Sequence, residues 1–291
     1  MTELQSDTGR LQRFLADYPR LTVVSGAGIS VAAGIPAYRD HCGVWQHTAP
    51  ITHEEFTCNP ARRRRYWARS VAGWPTVRDA RPTAAHRALA RLEQAGHIGL
   101  LITQNVDRLH QRAGSAAVVD LHGRVDRVRC MACDNTIDRE QLQLELLRDN
   151  PHSLRRQVAP GPDGDSDVAD SLVDQFLVPA CAQCGGHLKP DVVFFGGSVP
   201  LERVQRCSDA VAAGDALLVV GSSLQVFSGF RFCRLAKELG KPVAIINPGN
   251  TRADPLADLK LRSDCQLLLA ALTAEIRTSP PCSPSAAGSP S

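Results

Sequence analysis

Long apolar runs are missing from this 291-residue chain. No stretch approaches the eighteen or so consecutive apolar residues that a membrane-spanning helix requires, so no membrane span is expected. A surplus of one charge is missing as well: a formal net charge of +3 is too small to single out an electrostatic nucleic-acid binder. Lysine is scarce, with only Lys189, Lys237, Lys241 and Lys260 among 33 basic residues, an arginine excess read here as a composition bias of the source. The run from Arg62 to Arg65 is the one local basic cluster and is read as a solvated helix face. Residues 1–20 carry Glu3, Asp7 and Asp17 and no apolar run, so neither an export signal nor an Arg-rich, acid-poor presequence is expected. A cytoplasmic protein is the starting expectation.

What is present is enough apolar sequence, 43%, to bury one large core and a smaller appendage. Short runs that are apolar on both faces recur at 21–25, 99–103, 118–121, 192–195, 216–220, 243–246 and 266–269, as expected of strands buried in a parallel sheet. Helical stretches alternate with them. In 83–95 the residues Ala85, Leu89 and Leu92 repeat at helix spacing, and 227–239 is stopped by Gly240 with Pro242 beyond. Alternation of this kind predicts an α/β fold, a Rossmann-like doubly wound parallel sheet.

The alternation breaks twice. Residues 48–77 read as a helical insertion centred on 62–71. Residues 124–190 read as a small metal-binding module with a helix over 138–148 and a loop at 159–165. The sheet domain is then 21–123 plus 191–277, preceded by a helical lead-in over 1–20 and followed by a Ser/Pro/Ala/Gly tail, 278–291, expected to be disordered.

Four of the ten cysteines form two C-x-x-C knuckles, Cys130/Cys133 and Cys181/Cys184. Two residues between thiolates let both reach one ion, and two knuckles complete a tetrahedral Cys₄ shell. A closed shell leaves no position for water, so one structural Zn²⁺ is expected. His187 lies nearby but is read as a non-ligand, and most of the scattered cysteines as small core residues.

The stretch from Ser25 through Gly26, Ala27, Gly28 and Ile29 to Ser30 directly follows the first expected strand. Glycine there would let backbone amides approach a pyrophosphate. The pattern departs from the dinucleotide fingerprint of dehydrogenases, because Gly34 falls too far along and no ribose-binding acid ends the second strand. Past the C-terminal ends of other strands lie Gln104-Asn105-Val106-Asp107, His122-Gly123, Gly221-Ser222-Ser223 and Asn247-Pro248-Gly249. Ligands of open α/β sheets bind at that edge, so these loops are expected to converge on one site.

In this order, with Gly34-Ile35-Pro36-Ala37-Tyr38-Arg39 and Val192-Val193-Phe194-Phe195-Gly196 and the Cys₄ knuckles among them, the motifs resemble the sirtuin family over about residues 21–269. Tyr66-Trp67-Ala68-Arg69, Gly73-Trp74-Pro75 and Gly221–Val226 are similar to its class II branch. The resemblance implies an NAD-dependent protein-lysine deacylase that transfers the acyl group to ADP-ribose and releases nicotinamide. NAD⁺ would lie against Gly26, Ala27, Gly28, Ser30, Ile35, Pro36, Tyr38, Arg39, Trp45, Gln104, Asn105, Val106, Asp107, His122, Gly221, Ser222, Ser223, Asn247, Pro248, Gly249 and Cys265.

By the same resemblance, the acyl oxygen attacks the ribose carbon that nicotinamide leaves. His122 then acts as general base on a ribose hydroxyl, with Asn105 and Asp107 completing the catalytic set. The substrate backbone would add as a strand between Val193, Phe194, Phe195 and Gly196 and the turn at Ser228-Gly229. Gly197 stands where the family commonly has an acid. Tyr66 and Arg69 are placed like the pair that binds acidic acyl groups in another branch. Partners would be acyl-lysine proteins, with no nucleic acid and no membrane; the oligomeric state is not legible beyond a monomer as starting assumption. Two rivals use the same residues: mono-ADP-ribosyl transfer to a protein, separable by mass spectrometry of the acceptor, and a non-catalytic NAD sensor, which would need no general base.

Overall fold

The fold was established from a computed structural model that describes residues 2–40, 44, 46, 50–151, 161–162 and 173–274. Expectations for Trp45, for most of the 159–165 loop and for the 278–291 tail lie outside the described residues.

Six parallel strands form the main sheet in the order β3-β2-β1-β7-β8-β9. They are β1 (Leu21–Ser25), β2 (Ile98–Thr103), β3 (Val118–Asp120), β7 (Ala216–Val220), β8 (Val243–Ile246) and β9 (Leu259–Leu261). Side chains of a strand point to alternate faces, and here both faces are apolar. Val23, Leu218 and Ala244 enter one core with helices α1 (Glu3–Asp17), α4 (Ala84–Gln94) and α9 (Cys265–Ala274). Val24, Leu217 and Val243 enter the other with α7 (Leu201–Ala213) and α8 (Phe227–Glu238). The sheet is therefore doubly wound.

Helix starts carry their signals. Thr83 caps α4 with its hydroxyl on the N–H of His86, and Thr2 closes a capping box with Gln5. Gly240 follows α8 with φ +68, the left-handed turn expected of a C-terminal glycine.

The second lobe is built from both interruptions. Helices α2 (His53–Cys58) and α3 (Pro60–Asp79) pack Phe56, Trp67 and Val71 against Val128 of β4 (Gly123–Cys130) and against Leu142 and Leu146 of α6 (Arg139–Asp149). Strands β5 (Thr136–Asp138) and β6 (Leu188–Val192) flank β4 in an antiparallel sheet. One apolar cluster is shared, so the helices and the cysteine module form one body.

Two expectations fail. Residues 266–269 are not a strand but lie inside α9, started by Asp264, whose carboxylate accepts the N–H groups of Gln266 at 2.8 Å and Leu267 at 3.1 Å. A short, wholly apolar run cannot by itself separate buried strand from buried helix. The sixth parallel strand is instead β9, a shorter run with alternating polarity. Residues 192–195 are not in the parallel sheet either: Val192 ends β6, antiparallel to β4, and Phe195 makes a single bridge to Thr52. That run is apolar because it walls a cleft.

Candidate active site

Parallel strands all deliver their C-terminal ends to one edge, and there a cleft of ≈ 450 Å³ separates the sheet from the second lobe. Gly26, Ala27 and Gly28 after β1, Gln104, Asn105 and Val106 after β2, His122 after β3, Gly221, Ser222 and Ser223 after β7, and Asn247, Pro248 and Gly249 after β8 all line it. Tyr38, Arg39, Tyr66, Val193, Phe194, Phe195 and Cys265 line it too. Ser30, Ile35, Pro36, Asp107, Gly196, Ser228, Gly229 and Arg69 are not among its lining residues, although Ser30 and Ser228 bond directly to the lining side chains of Asn105 and His122. Sequence reasoning passed over Ser70, Val125, Pro162 and Gln225, which also contribute to the wall.

The glycine turn is held from behind. Gly26 N–H donates to Val220 O at 3.2 Å and Gly28 N–H to Gly221 O at 2.8 Å, so these amides are engaged within the protein. The glycines also meet a packing need. A Cβ on Gly28 would sit 2.8 Å from Gly221 O, and one on Gly26 would sit 2.7 Å from Ser222 Cβ. Glycine lets the ends of β1 and β7 close on each other.

Asn105 Nδ2 donates to Gly26 O at 3.1 Å and to Ser30 Oγ at 3.0 Å. Ser30 Oγ–H in turn donates to Asp107 Oδ2 at 2.6 Å, while Asp107 Oδ1 accepts Leu109 N–H. Burial raises the Asp107 carboxyl, opposed by its bond from Ser30. Asp107 is a buttress below the turn, and Asn105 is the member of that network that reaches the cleft.

Gln104 ties three loops together. Its side-chain amide donates to Ser222 Oγ at 2.7 Å and to Ser25 O at 3.2 Å, and its own carbonyl meets His122 Nδ1 at 2.9 Å. A carbonyl can only accept, so Nδ1 carries the proton and Nε2 carries the lone pair. Burial pushes the imidazole down to about 4, with the Gln104 carbonyl drawing it partly back. A neutral imidazole with its basic lone pair on Nε2 is the form a general base needs.

In the second lobe the four sulfurs of Cys130, Cys133, Cys181 and Cys184 all lie within 4.8 Å of one another, with 3.5 Å between Cys130 and Cys184 and 3.8 Å between Cys133 and Cys181. Zn–S bonds of about 2.3 Å in a tetrahedron require S···S separations of roughly 3.8 Å, so the set fits a structural zinc. A Cβ at Gly186 would fall 2.9 Å from Cys130 Sγ, which reserves that position for glycine. His187 is turned away, its Nε2 paired with Arg63 at 3.2 Å.

Of the pair Tyr66 and Arg69, only Tyr66 is among the residues lining the cleft. Tyr66 stacks edge-on against Phe194, ring centres 5.2 Å apart, at the cleft wall. The next wall residue on α3 is Ser70, not Arg69. Behind Ser70 lies Arg139, fully buried, which donates to Ser70 Oγ at 3.1 Å and sits 5.6 and 5.1 Å from the rings of Trp67 and Trp74. Among the described residues it makes no ion pair, Glu140 and Asp138 attracting it only from a distance, and its Nε and Nη1 have no hydrogen-bond partner. Burial pushes its guanidinium down to about 10.

Residues 26–228 match the profile of the Sir2 family. An NAD-dependent protein deacetylase of Xanthomonas campestris pv. campestris (strain 8004) is 53% identical over 273 residues, covering 94% of this chain and 93% of the relative. The NAD-dependent protein deacylase Sirt4 of Drosophila melanogaster is 44% identical, covering 90% of this chain and 85% of the relative. Among solved structures, a Sir2–p53 peptide–NAD⁺ complex superposes with a TM-score of 0.73 at 27% identity, covering 91% of this chain and 97% of that one.

Proposed function

The chain belongs to the Sir2 family, and from that premise we propose how its own residues divide the work of the family's reaction. It is an NAD-dependent protein-lysine deacylase, with NAD⁺ as co-substrate and a structural zinc in the Cys₄ shell. The segments Tyr66-Trp67-Ala68-Arg69, Gly73-Trp74-Pro75 and Gly221–Val226 support placing it in the class II branch.

NAD⁺ supplies an electrophilic ribose carbon once nicotinamide departs, and the acyl oxygen of the substrate lysine is the nucleophile. Gly26, Ala27 and Gly28 bring the backbone close to the diphosphate, and Ser222 offers its hydroxyl proton, since its oxygen already accepts from Gln104 and from Leu224 N–H at 3.2 Å. Asn105 fixes the floor beneath the reacting ribose. His122 accepts a proton at Nε2 from a ribose hydroxyl, which lets that oxygen attack the acyl carbon. The substrate backbone lies along 193–196, where Val193 N–H is anchored on His122 O at 2.8 Å. The observation that carries this reading is the His122 ring, proton on Nδ1, facing the same cleft as the glycine turn.

The acyl tail points to Tyr66 and Ser70. Ser70 accepts from Arg139 and so directs its own proton elsewhere, and Arg139 places a positive charge one residue behind the wall. This supports acyl groups with a carboxylate or polar tail, recognised through Ser70 and Arg139 in place of Arg69. The cysteines paired for metal instead of disulfide support a reducing, cytoplasmic setting; among the described residues no helix is long and apolar enough to cross a membrane.

Nicotinamide release measured across a panel of acyl-lysine peptides, with His122→Tyr as control, tests the assignment. The variant is expected to fold, hold zinc and lose nearly all acyl transfer. Near wild-type transfer by the variant would remove His122 from the mechanism.

A further inference from the structure

Ser228 stands at the second position of α8, where its hydroxyl makes no capping bond, the helix being entered through Val226 without a side-chain cap. The hydroxyl goes instead to His122: Ser228 Oγ lies 2.7 Å from Nε2. Because the Gln104 carbonyl obliges Nδ1 to donate, Nε2 of the neutral ring accepts and Ser228 O–H donates. The seat is tight. Gly229, next in the chain, has the Gln104 side chain where its Cβ would be, at 2.5 Å from Oε1, so the residue that grips Nδ1 through its carbonyl also fixes the start of α8. Both ring nitrogens are thereby held by one scaffold, 104 on one side and 228 on the other.

We propose that Ser228 is a positioning residue for the general base, holding the His122 ring before the reaction and accepting a hydrogen bond from the N–H that the ring gains. The proposal rests on the reading of His122 as base. Before a ribose hydroxyl arrives, Ser228 O–H occupies Nε2. An entering ribose hydroxyl displaces it and transfers its proton to Nε2, forming an imidazolium. The new Nε2–H then donates to Ser228 Oγ, whose own proton turns outward from the half-buried side chain to water. No heavy atom beyond the Ser228 side chain needs to move, because a hydroxyl both donates and accepts. Burial disfavours the imidazolium, so an acceptor for its second N–H matters most at this step. Alanine cannot provide one, whereas threonine can.

The test compares wild type with Ser228→Ala and Ser228→Thr, using an acetyl-lysine peptide and NAD⁺. Two rates are measured: exchange of labelled nicotinamide, which precedes the base, and formation of acyl-ADP-ribose, which requires it. Loss of one hydrogen bond to the charged ring should lower the ratio of acyl transfer to exchange about tenfold in Ser228→Ala, and Ser228→Thr should restore most of it. Alanine is favourable in a helix and no cap is lost, so the melting temperature should hold. An unchanged ratio, or an equal fall in both rates, would overturn the proposal, the second by showing a merely structural role. Absence of exchange in the wild type would instead refute the underlying deacylase mechanism.

Discussion

If the glycines after β1 and β7 exist to let two loops close, a methyl group there should damage NAD⁺ use far more than stability. Gly28 has no positive φ, so Gly28→Ala isolates the steric effect: its Cβ would lie 2.8 Å from Gly221 O and 3.0 Å from Gly221 Cα. Carbon contacts relax to about 3.5–4.0 Å, so the loops must part by roughly 0.5–1 Å, and both neighbours are backbone. Gly240→Ala is the complementary control. It carries φ +68, yet nothing lies within 4 Å of its Cβ, so only the left-handed strain of about 1–2 kcal/mol is added, far from the cleft. Gly221→Ala combines the two, with φ +59 and a Cβ 2.7 Å from Ile29 N. Displacement of reacting groups by about 1 Å costs on the order of 10²-fold in rate. Steady-state kinetics with NAD⁺ varied, alongside thermal melts, should show kcat/KM down about 100-fold in Gly28→Ala and at least as far in Gly221→Ala. Gly240→Ala should melt lower but keep its kcat/KM. A Gly28→Ala enzyme with NAD⁺ kinetics within about twofold of wild type would refute the close-approach argument.

Other outcomes follow from the same geometry. Chelation should remove one zinc per chain, blue- or red-shift the emission of Trp67, which shares an apolar cluster with Cys130 and Cys181, and lower the melting temperature; unchanged melting after verified zinc loss would count against a structural role. His86 and His110 are buried in contact, ring centres 4.6 Å apart, and burial pushes His86 down to about 3 and His110 well below its usual value. Both are neutral when folded but titrate near 6.5 when unfolded, so the unfolded chain binds more protons. Their contribution is complete above about 6.5 and lost as pH falls, at about 1.4 kcal/mol per pH unit per histidine. Denaturant melts between pH 7.5 and 5 should show that decline, and a flat profile would contradict neutral burial. For acyl choice, Ser70→Ala should lower the succinyl-to-acetyl ratio of kcat/KM severalfold while Arg69→Ala changes it less than about twofold; the reverse ranking would return the role to Arg69.

The sequence by itself determined whatever depends on neighbours along the chain. The glycine turn after an apolar run, the spacing within each C-x-x-C pair, the cap at Thr83 and the stop at Gly240 are short-range requirements, written in consecutive residues. Parallel strands then carry five separate loops to one edge, so the order of those motifs sufficed to anticipate the cleft. The apolar run at 266–269 misled because burial on all sides erases periodicity; the deciding signal was the Asp264 cap just before it. The other determinants joined residues far apart. Arg139 reaches Ser70 across 69 positions, and Ser228 reaches His122 across 106. Ser70 has no local pattern that marks it, and Ser228 was legible only as part of a substrate turn, not as the partner of His122. Only folding decides which hydroxyl faces a base and which lies on a helix surface, because that depends on how two lobes and two loop ends close on each other.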